Sequence, residues 1–216
     1  MHEFWDSSWE KIDPERIAEY IGDFDMEPDE CIEYLHSQNV EAVCDAGCGC
    51  GIYALKLAMN GFQVSGFDVA ANAVEIARSL LEKAGASAEL KTASVLSTGY
   101  ADEQFDCVIS RDVIDHMTKR DAIAAVRELY RITKPGGLLL ITLDYLDTEY
   151  EEEPHTIHED GDYLFTAGKW EGMVFHPYSA AEIAELIPPG GYCHMEENGE
   201  YILKIRKREE QVQPSA

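Results

Sequence analysis

An α/β fold is expected, with a doubly wound, mostly parallel sheet, an antiparallel last strand and a small lid insert. Three observations carry this expectation. Short apolar runs alternate with amphipathic segments from position 41 to position 145. Strands that alternate with helices build a mostly parallel sheet with helices on both faces. An acid and three alternating glycines stand between the first strand and the first helix of that series. Two late strands, Tyr192–Glu196 and Glu200–Lys207, meet at Asn198-Gly199, and strands joined by so short a turn run antiparallel.

Positions 1–40 read as a helical leader or cap, and 41–210 as one domain with 146–178 inserted as a lid. In the leader, Pro14 to Ile21 and Pro28 to Ser37 are short helices, the second opened by Glu27-Pro28. Phe4, Trp5 and Trp9 stand in an acidic, otherwise polar beginning; they either staple the leader down or close a pocket. Ala42–Cys44 is the first strand, and Ile52, Leu55, Leu57 and Ala58 mark the first core helix. Gln63–Phe67 is the second strand, ending on Asp68; Ala70–Lys83 is a helix with Val74, Ala77, Leu80 and Leu81 on one side. Ala88–Ala93 and Phe105–Ser110 are the next strands. The helix Lys119–Thr133 has its apolar stripe at Ile123, Val126, Leu129 and Ile132. A turn at Lys134-Pro-Gly-Gly137 leads into the fifth strand, Leu138–Leu143, and the two late strands bring the sheet to seven.

From Asp144 to Pro177 the alternation breaks. Glu149 to Pro154 is a charged loop, Tyr163–Ala167 and Trp170–His176 form a hairpin across Gly168-Lys169, and Tyr178–Ile187 is a short helix. Gly190-Gly191 is a turn, and Gln211–Ala216 is expected to be disordered.

A chain of 216 residues with 45% hydrophobic content suits one domain and a lid. No apolar run approaches the ~18 residues of a membrane helix. The acidic, aromatic N-terminus has no cleavable apolar segment, so the expected location is cytoplasmic. Of the six cysteines, Cys44 and Cys107 lie in apolar strand patterns as core residues. Cys48 and Cys50 sit between glycines with no second cysteine pair at ligand spacing, so no metal is expected there. The 42 acids against 17 Lys and Arg give a formal charge of −25. Nucleic-acid binding needs phosphates neutralised by Lys and Arg, so this charge weighs against DNA, RNA and anionic membranes as partners. The one basic run, Lys204 to Arg208, is the tail of the last strand. A small neutral or cationic substrate fits better; oligomeric state is not legible.

The stretch Glu41 to Ala58 carries the most chemistry. Asp45 ends an apolar strand, Gly47, Gly49 and Gly51 follow, and a helix starts at once. The glycines let a ligand lie against bare backbone, and an acid at the strand tip disfavours phosphate. A dinucleotide fingerprint, Gly-x-Gly-x-x-Gly, would place its third glycine at position 52, which is Ile52. The order Asp-x-Gly-x-Gly-x-Gly instead resembles the first motif of class I S-adenosylmethionine-dependent methyltransferases. Phe105 to Ser110 and Arg131 to Gly137 resemble that family's fourth strand and its approach to the fifth. The resemblance implies a Rossmann-like methyltransferase domain, S-adenosylmethionine as cofactor and methyl transfer to a small-molecule acceptor. A nicotinamide-dependent oxidoreductase and a non-catalytic S-adenosylmethionine binder are the alternatives.

The resemblance also implies a cofactor set. Asp45, Gly47, Cys48, Gly49 and Gly51 surround the methionine end, with Val69, Ser94, Val95 and Arg111 at neighbouring strand ends. Ser94 stands where the family often has an Asp for the adenine amino group. Trp5 belongs to a Trp-Asp leader of the kind that covers the cofactor in small-molecule methyltransferases. Asp68 is placed to take both ribose hydroxyls, or else to cap the next helix. His116, one helical turn after Asp112, is a candidate general base with Asp112 beside it, or else packs at the start of the following helix. Asp115 is expected to face solvent. His155, His158 and His176 form a metal set by type, but no strand or helix fixes His155 and His158 and acids surround them, so they read as a loop face. Tyr163, Phe165, Trp170, Met173 and Phe175 are a substrate lid or the hairpin's own core.

Overall fold

The computed structural model describes residues 2–10, 12, 13, 16, 24–146, 148–197 and 200–209. Apart from Arg16, the helix expected over 14–21 lies outside them, as do Asn198-Gly199 and the segment 211–216.

The strands that build the main sheet are β1 (Ala42–Ala46), β2 (Gln63–Asp68), β3 (Glu89–Thr92), β4 (Phe105–Ser110), β5 (Thr133–Asp144), β9 (Gly191–Glu197) and β10 (Glu200–Lys207). They hydrogen-bond in the order β3-β2-β1-β4-β5-β10-β9. The pairs among β1 to β5 are parallel, and β10 is antiparallel to both β5 and β9. The expected doubly wound sheet with a reversed last strand is therefore present. β1, β2 and β4 are buried almost end to end, as central strands covered on both faces must be.

Alternate residues of these strands feed two opposite cores, because side chains on a strand alternate between faces. Val43, Cys107, Ile109, Leu138 and Leu140 pack with α2 (Glu30–Ser37) and α3 (Ile52–Met59). Cys44, Val108, Leu139 and Ile141 pack with α5 (Lys119–Ile132) and α7 (Ala180–Leu186). Cys44 and Cys107 are fully buried core residues, as expected. Helix starts follow their capping chemistry. Asp29 accepts from the Ile32 N–H, Thr118 from the Asp121 N–H, and Ser179 with Glu182 forms a capping box.

Gly51 shows why a glycine ends the motif. It caps α3 at φ +83°, and a Cβ there would stand 2.6 Å from the Cβ of Ala77 on α4 (Ala71–Ala84). Left-handed backbone costs about 1–2 kcal/mol for a residue with a Cβ, and overpacking adds about 1–3. Gly51→Ala should destabilise the fold by about 2–4 kcal/mol in urea unfolding; a midpoint within error of wild type would refute this packing role.

Four elements differ from expectation. The N-terminal aromatics lie on a helix, α1 (His2–Trp9), which the polar leader concealed. The 134–137 turn is part of β5, whose register against β4 slips between Phe105 and Cys107. The charged loop after 148 contains α6 (Thr148–Glu152). The lid is a three-stranded antiparallel sheet of β6 (His155–Ile157), β7 (Tyr163–Phe165) and β8 (Val174–Phe175), with positions 166–173 between the last two rather than a turn at 168–169. β6 escaped notice because His-Thr-Ile is short and exposed on two of its three residues.

Candidate functional site

The carboxyl ends of β1, β2 and β4 and the turn after β3 open on a cavity of about 470 Å³. Ligands in doubly wound sheets bind at this end of the strands. Gly47 and Gly49 form one wall, Phe67, Asp68 and Val69 a second, and Ala93 to Leu96 a third. Arg111, Asp112, Val113, His116 and Met117 close the β4 side, and Trp5 and Trp9 of α1 cover it. Of the thirteen expected site residues, ten meet here: Trp5, Gly47, Gly49, Asp68, Val69, Ser94, Val95, Arg111, Asp112 and His116. Asp45, Cys48 and Gly51 do not line it.

Backbone geometry explains the glycine-rich wall. Gly47 adopts φ +80°, and a Cβ there would collide with Val113 in the β4–α5 loop. The turn is tied down by its own amides: the Gly47 and Cys48 N–H groups both donate to the Phe67 carbonyl, at 2.8 and 2.9 Å. Asp68 completes the tie. Its Oδ2 accepts from the Gly49 N–H at 2.9 Å and its Oδ1 from the Ala70 N–H at 2.9 Å. Each carboxylate oxygen has a second lone pair, so the group holds the turn and still offers acceptors to the cavity. Burial pushes its pKa up, against three backbone N–H bonds that pull it down.

Asp45 is 3% exposed, and its Oδ2 has no hydrogen-bond partner. Burial pushes it up to about 7; Arg111 pulls it down, Asp68 pushes it further up, and the Ala54 N–H lowers it. A buried carboxyl with an unpaired oxygen calls for a positive partner. Cys48 and Cys50 have their thiols pushed up, chiefly by burial, which disfavours the thiolate form that ligates metal.

The β4–α5 loop carries the remaining groups. Asp112 stands at φ +54° and is held by Thr142, which donates its hydroxyl to Asp112 Oδ1 at 2.6 Å and accepts the Asp112 N–H at 3.1 Å. Arg111 lies over the Tyr53 ring at 4.5 Å. His116 is 7% exposed, packed edge-on against Trp5 at 5.2 Å and against Phe175 of the lid at 5.7 Å. Its Nδ1 has no partner, and burial, weakly opposed by Asp112, holds its pKa down to about 4. It is therefore a neutral imidazole at physiological pH. Asp115, expected in solvent, is instead fully buried. The loop folds inward beneath the lid, where the His176 N–H donates to the Asp115 carbonyl at 2.7 Å.

α1 and the lid meet over the cavity. Phe4 and Trp5 join Tyr150, Tyr163 and Trp170 around Phe165, Met173 and Phe175. The aromatic leader thus both staples α1 to the lid and covers the cavity. Asp6 on α1 also accepts the Ala71 N–H at the start of α4, at 3.2 Å. This cover was legible only as clusters of aromatics; the pairing of the two came from tertiary contact. The three insert histidines separate: His155 bonds the Glu153 carbonyl and lies against Tyr163, His158 is exposed, and His176 is buried on Asp162 at 2.8 Å. Ser94 holds its own turn, accepting the Leu96 N–H at 3.1 Å.

Residues 43–137 match a family model described as a methyltransferase domain. Ubiquinone biosynthesis O-methyltransferase of Methylobacterium sp. (strain 4-46) is 33% identical over 94 residues, 44% of this chain and 37% of that protein. Phosphoethanolamine N-methyltransferase 3 of Arabidopsis thaliana is 28% identical over 183 residues, covering 83% of this chain and 35% of that protein. The chain therefore spans little more than a third of the length of these relatives. Among solved structures, an S-adenosylmethionine-dependent methyltransferase from Methanosarcina mazei superposes with a TM-score of 0.70 at 19% identity, over 85% of this chain and 100% of that one. That likeness establishes the fold.

Proposed function

The chain belongs to the class I S-adenosylmethionine-dependent methyltransferases through residues 43–137, and on that footing we propose that it methylates a small-molecule acceptor by in-line displacement. The observation that carries the reading is the convergence of the glycine turn, Asp68, Ser94 and His116 on one covered cavity. When bound, the donor supplies an electrophilic sulfonium methyl and needs no further activation. The protein's task is alignment, water exclusion and, for a protonated acceptor, help with a proton.

The residues present suit that donor. Asp68 offers free lone pairs to ribose hydroxyls while its other lone pairs hold Gly49 and Ala70. Asp45, buried with an unpaired oxygen, suits the ammonium of the methionine end. Ser94, Val95 and Leu96 border the adenine side, and Gly47 and Gly49 leave room for the chain between. Cys48 and Gly51 serve by shaping the turn. Trp5 and Trp9 exclude water from above, and the insert 146–178 closes the acceptor side as a lid. His116, on the cavity wall, is placed to meet an acceptor hydroxyl or amine. With its pKa near 4 it orients that group more than it removes a proton, and Asp112 polarises it from the cavity rim.

Relatives named for O- and N-methylation keep both acceptor atoms open. The charge of −25 supports a small neutral or cationic acceptor over a nucleic acid. Among the described residues no helix is long and apolar enough to cross a membrane; a cytoplasmic location remains part of the proposal. Ile52 in place of a third glycine leaves the nicotinamide alternative without support.

Release of S-adenosylhomocysteine across a panel of phenols, carboxylates, thiols and amines tests the activity. His116→Ala should lower kcat about 10- to 100-fold, at or below the low end of acid–base effects of about 100-fold, with donor affinity within about threefold. Unchanged turnover would remove His116 from the site chemistry.

A further inference from the structure

The lid grips one short stretch of chain beside the cavity at three points. The His176 N–H donates to the Asp115 carbonyl at 2.7 Å. Phe175 packs on the His116 ring at 5.7 Å. The Lys119 N–H, in the first turn of α5, donates to Asp162 Oδ1 at 2.9 Å. All three contacts fall within 115–119, the stretch that carries His116 to the cavity wall.

Asp162 and His176 are also joined to each other. His176 Nδ1 lies 2.8 Å from the same Asp162 Oδ1. A carboxylate only accepts, so Nδ1 carries a proton and donates it. Both side chains are buried, Asp162 at 6% exposure and His176 at 1%, which corrects the reading of His176 as part of a loop face. Among the described residues its Nε2 has no hydrogen-bond partner, and the nearest carboxylate, Glu182 Oε1 on α7, stands off at 3.6 Å. Asp162 therefore supplies the ring's directional hold.

The rest of the lid's grip is apolar: Phe165, Met173 and Phe175 pack with Phe4, Trp5 and Trp170. Apolar burial has no direction, and strands of three, three and two residues are too short to hold a geometry of their own. Adhesion comes from the aromatics, and the seat from the polar pair. Burying a carboxylate with an imidazole costs desolvation that an apolar pair would avoid. What the pair adds is one fixed arrangement. Asp162 also sets a negative charge at the N-terminus of α5, where the helix dipole favours it.

We propose that Asp162 and His176 are positioning residues: they latch the lid onto 115–119 and so fix where His116 stands in the cavity. Neither lines the cavity, so they act through Phe175 and His116. The latch stands on this geometry alone; its effect on turnover rests on the methyl-transfer reading.

Native-state hydrogen exchange on the full chain tests the latch without an acceptor. In wild type the amides of 115–119 and of the lid strands should share one opening free energy, because releasing the latch frees both. His176→Phe, which fills the space without a donor, should speed exchange in both segments about tenfold and leave 43–68 within about threefold. His176→Asn, whose amide nitrogen takes the place of Nδ1, should restore most of the protection. Separate opening free energies in wild type overturn the proposal, whether or not either variant folds. So does exchange that quickens in the lid alone, or an Asn variant as loose as the Phe one. With an acceptor in hand, kcat should fall about tenfold in His176→Phe and recover in His176→Asn, with the S-adenosylhomocysteine Kd within about threefold in both. An unchanged kcat in a folded His176→Phe would end the positioning role. Linked exchange with no turnover on any acceptor would keep the latch and sink methyl transfer. Turnover with unlinked exchange would do the reverse.

Discussion

Asp68→Ala should weaken binding of S-adenosylmethionine by about 2–3 kcal/mol, some 30- to 150-fold in Kd. Two losses combine. The ribose hydroxyls lose a charged acceptor, and the Gly49 and Ala70 N–H groups, each 2.9 Å from this carboxylate, lose theirs. The second loss loosens the glycine turn itself, so the variant should also melt earlier. Asp68→Asn separates the two effects: its amide oxygen still accepts one backbone N–H, while its amino group donates where a ribose hydroxyl also donates. Turn stability should recover in part and donor affinity should not. Isothermal calorimetry with melting curves measures both. Wild-type affinity in a folded alanine variant would show that Asp68 serves only as a cap.

Donor affinity should also rise with pH and level off above about pH 7, because of Asp45. In the folded chain burial keeps its proton on up to about 7, whereas in an unfolded chain it is lost near pH 3.9. Between those values the folded state binds more protons, so stability contributed by this group falls as pH rises from about 4 to about 7 and is flat beyond. For a carboxyl 3% exposed that decline is on the order of 4 kcal/mol. A cationic donor reverses the preference, since an ammonium beside Asp45 favours the carboxylate. Binding below pH 7 then requires loss of that proton, and Kd should tighten roughly fivefold from pH 6 to pH 7. Asp45→Asn should remove this slope and bind more weakly at pH 7.5. A pH-independent Kd in wild type, or the same slope in Asp45→Asn, would exclude Asp45 as the charge partner.

Much of the fold was legible because its signals are local. The strands Phe105–Ser110 and Glu200–Lys207 have the expected bounds, and the helix at Lys119 ends within one residue of expectation. Apolar periodicity, caps and glycines act over a few residues and are written in order along the chain. The lid was less legible: β6 and β8 span three and two residues, too short for any periodicity. α1 was concealed because Phe4 and Trp5 pack against the lid while Trp9 packs against α3 and α4, so no regular stripe forms.

The site divides the same way. Composition and spacing already determined an acid-tipped strand, a side-chain-free bend and a second acid one strand over, because each is contiguous and chemically specific. Only tertiary structure decided that Asp115 turns inward, that His116 sits between Trp5 and Phe175, and that Asp144 ends within reach of both. Burial is the physical reason. Whether a charged side chain meets water or a neighbouring acid depends on segments far apart in sequence, and no local pattern encodes that meeting.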